Sequence, residues 1–168
     1  MEKRLINKVK AHGLSDENKE KLFTAIYVGA FLIVVALIFY LHNSILADII
    51  NFFLTMTLSA IPGTGISLPA PANPAAHLSL YAAAFQFTLA IGIVEIAILA
   101  LRIGFHSSAS HKAETTENVV FWLGASYLII TYFVNMTMPS EWFVFWAGII
   151  LVFGLALLAR SFVILAKK

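Results

Sequence analysis

Residues 80–101 read LYAAAFQFTLAIGIVEIAILAL. The run holds one charge, Glu95, and no proline. A bilayer core is crossed by about 20 consecutive apolar residues in a helix. Lipid offers the backbone no hydrogen-bond partners, so only helices and closed barrels cross it. Barrel strands alternate apolar and polar residues, and this run does not. It is read as a transmembrane helix, and its one carboxylate is the residue to explain.

Three further runs have the same character: 22–41, 119–136 and 142–166. Apolar residues make up 60% of the 168-residue chain and charged ones 12%, with a mean hydropathy of +0.88. Soluble domains carry about 25% charged residues, so much of this surface is built for lipid. The predicted fold class is all-α: a polytopic four-transmembrane-helix bundle over 22–168, preceded by a basic segment, 1–21. Cysteine is absent, which excludes disulfides and thiolate chemistry.

Net charge is only +2, but the basic residues are sorted. Lys3, Arg4, Lys8, Lys10, Lys19 and Lys21 precede the first span. Arg102 and Lys112 follow the second, and Arg160, Lys167 and Lys168 close the fourth. With four spans, all eleven fall toward one side. The positive-inside rule then places both termini in the cytoplasm, with the chain integral to the cell membrane. The first span is too long for a signal-peptide core and no A-x-A cleavage site follows it. Ser15 is placed to cap its helix, with Asp16 and Glu17 at the positive end of the dipole. Residues 1–13 either form a short basic amphipathic piece, with Leu5, Ile6 and Val9 on an anionic leaflet, or fray as a terminus.

The loop between the first two spans has two parts. Residues 44–61 place Ser44, Asp48, Asn51, Thr55 and Ser59 on one stripe of a greasy helix. Such a helix lies in the outer interface or re-enters the membrane. Ser44 is its candidate cap, and Pro62 ends it. Residues 61–77, IPGTGISLPAPANPAAH, then return the chain as extended, polyproline-like backbone. A sharper alternative makes PGTG a pore loop whose carbonyls line an aqueous path in an oligomer. His42 and His77 flank this loop. With Asp48 they form an external site for a metal or a proton, although no ligand spacing supports it, and Asn51 lies beside them on the stripe.

Ionisable residues inside spans are functional candidates. Tyr81, Thr88, Glu95 and Arg102 recur every seven residues, so they share one face of span two. Arg160 in span four lies at the depth of Glu95, and an ion pair between them is expected. Arg102, about 10 Å along the helix from Glu95 by helical rise, belongs to the same stripe and is placed to snorkel to the headgroups. A satisfied pair fixes helix register; charges facing a cavity instead form a proton or ion relay. Thr131 and Asn135, with Gly124 and Tyr127, are expected to hydrogen-bond to neighbouring helices. Ala25 and Gly29 form a small-xxx-small pair. Trp122, Tyr132, Trp142 and Trp146 read as aromatic belts.

No phosphate-binding glycine loop, HExxH helix or nucleophile elbow is present, so no catalytic residue, cofactor or metal is assigned. Basic residues follow topology rather than forming a nucleic-acid surface. The segments HGLSDENKEKLFTAIYVGAFLIV, PGTGISLPAPANPAAH and EIAILALRIGF resemble small four-span membrane proteins of archaea that carry no assigned activity. The resemblance implies fold and residence, and no residue roles. The favoured role is a non-enzymatic scaffold or accessory subunit in a membrane-protein complex or homo-oligomer. The alternative is a small oligomeric ion or proton channel or transporter using span two and residues 44–65.

Overall fold

A computed structural model describes residues 16–135 and 140–166. The basic segment 1–13, the Ser15 cap, Lys167 and Lys168 lie outside the described residues. Helix α1 covers Asp16–Leu41 and α2 Ile45–Leu54. Strands β1, Met56–Ala60, and β2, Ser67–Pro71, follow, then a 3₁₀ turn at Pro74–His77. Helix α3 covers Leu78–Gly104, α4 Ala109–Ile129 with a π-helical continuation Ile130–Val134, and α5 Glu141–Leu165. Four helical segments are long and apolar enough to cross a membrane: Glu17–Leu41, Pro74–Gly104, Ala109–Val134 and Glu141–Leu165. The fold is mostly helical, with one small sheet.

The four long helices run alternately up and down. Helices α3 and α4 form the centre, α1 packs on α3, and α5 packs on α4. The outer helices share no comparable interface. Their outward faces carry Leu32, Ile33, Ile150 and Leu151, all largely exposed. Apolar faces this extensive suit lipid, which takes the place of a protein partner.

The loop after α1 departs from expectation. The helix stops at Leu54 rather than Ile61, and Ser59 sits on β1 opposite Leu68. Residues 55–60, TMTLSA, are rich in β-branched and small residues, which suit a strand. The backbone N–H of Ala72 bonds Thr55 O at 3.0 Å, and that of Ile61 bonds Ile66 O at 2.7 Å. The even-numbered residues of β2 therefore face β1. Pro69 and Pro71 fall on the outer edge, where their missing N–H groups cost no ladder bond. That parity is why a proline-rich segment forms a strand here and not a polyproline coil.

Pro62, Gly63, Thr64 and Gly65 make the hairpin turn. Gly63 and Gly65 have φ of 79° and 68°, open to glycine at little cost. Thr64 Oγ1 donates to Ile61 O at 3.0 Å. This backbone closes a tight turn between two paired strands rather than following a helix directly.

Helix α2 runs along α3. At its start, His42 Nε2 bonds Gln86 Oε1 at 3.0 Å; at its end, Thr55 Oγ1 bonds His77 Nε2 at 2.8 Å. Gln86 lies nine residues beyond His77, about 13 Å along α3 at 1.5 Å per residue. Helix α2 therefore runs alongside the first turns of α3. Ser44 does not cap it; its hydroxyl donates to Asp48 Oδ2 at 3.0 Å.

An aromatic core joins the hairpin to the helices. Trp142 stacks on Phe133 at 5.1 Å, and its Nε1 donates to Pro69 O at 3.1 Å. Phe52, Tyr81 and Phe145 complete the cluster. Trp142 is 6% exposed, so it is a packing residue and not the lipid anchor expected of it. Trp146, half exposed, is free to meet lipid.

Candidate functional site

The polar residues gather at the opposite end, in a cleft between α1, α3 and α4. Helix α3 ends with His106 in the left-handed region, φ 56°, and Ser107 N–H bonding Arg102 O at 2.9 Å. This is a Schellman closure with histidine where glycine is usual. Replacing His106 with glycine is expected to stabilise the fold by about 1 kcal/mol, since left-handed backbone strains a side chain by that order; thermal unfolding in detergent checks it. Only residues 105–108 separate the helices. The residues before the apolar run at 119 are the first part of α4, which begins at Ala109. Its Ser108 N-cap hydroxyl accepts from His111 N–H.

That extra helix supplies the site. Tyr81, Thr88 and Glu95 on α3 are buried, and Arg102 turns inward rather than snorkelling. Arg102 Nη2 meets Glu20 Oε2 of α1 at 2.9 Å, and Nη1 donates to His111 O at 2.8 Å and to Thr115 Oγ1. One guanidinium thus ties α1, α3 and α4 together, which its fork of donors permits and an ammonium does not. Phe23 lies beneath it, with the ring centroid 6.0 Å from Cζ. His111 Nδ1 stands 3.8 Å from both Glu20 and Glu114 carboxylates.

Glu95 is 3% exposed and does not pair with Arg160. Its Oε1 accepts from Asn118 Nδ2 at 2.9 Å, while Arg160 Nη1 pairs with Glu117 at 2.9 Å. Residues 117 and 118 are adjacent on α4, so their side chains point to different neighbours. Glu95 and Arg160 match in depth but stand on opposite sides of α4. A cavity of about 190 Å³ lies beside Glu95, lined also by Thr24, Tyr27, Arg102, Glu114 and Asn118. A larger cleft of about 530 Å³, lined by Glu17, Glu20, Lys21, Ser107 and His111, shares Thr24 with it.

Polar character stops above Glu95. Thr88 spends its hydroxyl on Ala84 O and Phe85 O of its own helix, at 2.9 and 3.0 Å. Ile91 is fully buried. Thr131 has no side-chain hydrogen bond among the described residues, and Tyr127 faces outward. Asn135 does not reach a neighbouring helix either; it donates to Ile130 O at 2.8 Å, a carbonyl of the widened π turn.

The expected external site does not assemble. His42 and His77 bond to different partners at different levels of α3, Asp48 is held by Ser44, and Asn51 is exposed. Among the described residues no group of three or more His, Cys, Asp or Glu lies close enough to hold a metal ion. Glu20, Thr115 and Asn118 were missed by the search of apolar spans because they stand outside or at the rim of those runs. Their signal was present as helical spacing: His111 to Thr115 and Glu114 to Asn118 are both four apart. Compared with known proteins, the chain matches no family model, no curated protein and no solved structure.

Proposed function

We propose that this integral membrane protein is a non-enzymatic carrier that takes up a proton or small cation at Glu95, from the side of the membrane holding both termini, the cytoplasm. The observation carrying the proposal is a carboxylate inside a membrane span that has an amide, not a cation, as its hydrogen-bond partner, beside a cavity roomy enough for several waters. An unpaired carboxylate at that depth binds a proton or a cation to offset its desolvation. Asn118 fixes its orientation. The apolar packing above Glu95 makes the path one-sided, which fits alternating exposure better than an open pore.

The test is flux into proteoliposomes under imposed proton and cation gradients. Wild-type protein should carry one of them, and Glu95→Gln should lower the rate about tenfold or more, the scale of losing one contact to a charged group. Flux equal to that of empty liposomes, or unchanged in Glu95→Gln, defeats the proposal.

A second reading, an accessory subunit, draws on α1. Gly29 has nothing within 4 Å of where a Cβ would stand, and Ala25 one turn earlier is exposed. A small-residue face left open suits the close approach of another helix.

A further inference from the structure

The α3–α4 turn lies between two clefts, and Ser107 and Ser108 stand in the walls of both. The cleft on the α1 side holds Glu17 and Glu20 together with Lys19, Lys21 and His111. On the α5 side is a space of about 390 Å³ lined by His106, Ser107, Ser108, Lys112 and, on α5, Val163 and Ala166. Among the described residues no carboxylate lines it. The first turn of α4 opens onto it, with Ala109 in its wall, and the leading N–H groups of a helix favour an anion. Lys112 forms no ion pair among the described residues. Ser107 is only 8% exposed, and its hydroxyl has no hydrogen-bond partner among the described residues. A buried donor left unmatched in the wall of a basic cleft is a second, independent sign of a ligand.

We infer that this cleft binds a phosphate-bearing anion, with the helix α4 N-terminus, Lys112 and the Ser107 hydroxyl as its donors. His106, held in left-handed backbone, adds a polar rim. The apolar wall of Val163 and Ala166 belongs to a membrane-spanning helix, so an acyl chain can continue from the headgroup along α5. The described lysines and arginines of the four long helices, Lys19, Lys21, Arg102, Lys112 and Arg160, lie toward this end, which suits an anionic leaflet. The same donors accept a soluble phosphate, and the experiment separates the two sources.

Purified full-length protein in detergent is titrated with dioleoylphosphatidylglycerol, with dioleoylphosphatidylcholine, and with inorganic phosphate, and bound ligand is counted by native mass spectrometry. Phosphatidylglycerol held more tightly than phosphatidylcholine assigns the site to an anionic lipid; inorganic phosphate binding at comparable affinity assigns it to a soluble anion. In either case Lys112→Gln should weaken binding about fivefold, the worth of one lysine near an anionic surface. Ser107→Ala should weaken it further, and Lys112→Arg should restore it. Equal binding by wild type, Lys112→Gln and Ser107→Ala overturns the inference, as does equal retention of both lipids without phosphate binding. The Lys112→Arg variant guards against misfolding, because it keeps the charge and the helix.

Discussion

Arg102→Ala is expected to destabilise the protein by about 3 kcal/mol, the lower edge of what breaking a buried ion pair costs. The side chains of Arg102 and Glu20 are 13% and 20% exposed, so the pair is mostly withdrawn from solvent. Truncation strands more than one group. It leaves the Glu20 carboxylate facing the half-exposed His111, and it removes a donor from the His111 carbonyl and from Thr115, which is almost fully buried. Arg102→Lys should recover only part of the loss, since an ammonium cannot span three partners on two helices. Arg160→Ala is the internal comparison. Its pair with Glu117 has the arginine 44% exposed, and such pairs contribute about 0–1 kcal/mol. Unfolding titrations in mixed micelles give both values. If the two variants lose the same stability, Arg102 is not the tie between α1, α3 and α4.

Gly124→Ala is expected to cost about 2 kcal/mol by overpacking the α4–α5 interface. A Cβ at that position would stand 2.5 Å from Val152 Cγ1 and 3.0 Å from Cγ2. Valine in a helix keeps essentially one rotamer, so neither methyl can swing aside and the helices must separate. Gly154→Ala is the control. Nothing lies within 4 Å of its Cβ position, and alanine is the better helix former by about 1 kcal/mol. The same titrations should show Gly124→Ala rescued by Val152→Ala, which opens the space. Equal stability of Gly124→Ala and Gly154→Ala would mean that the two helices do not meet closely at this glycine.

Much of the architecture was legible in the chain. Continuous apolar length marks the four long helices, and the seven-residue spacing of Tyr81, Thr88, Glu95 and Arg102 identifies one face of α3. The hairpin was obscured because a polar stripe at helical spacing, Ser44 to Ser59, ran past the true end of α2. Its decisive signal is the alternation of prolines at 69 and 71, readable as a strand edge only once β1 is known to lie beside it. Part of the candidate site was hidden for another reason. Glu20, Thr115 and Asn118 lie where helices continue beyond their apolar stretch, so a search for apolar length stops before reaching them. Trp142 was misread because belt and core tryptophans share the same place in sequence, and only the hairpin folding over it distinguishes them.

That four helices are long and greasy enough to cross a membrane, and that cations collect toward one end of them, can be read from the residues alone. Both follow from local composition, because the bilayer tests each segment separately for length and polarity. That Glu95 faces Asn118 and a cavity while Arg160 takes Glu117 emerges from the packed fold. Depth along a helix can be counted from residue numbers, but the lateral order of helices comes from how whole faces pack. Because α4 stands between α3 and α5, two charges at one level never meet.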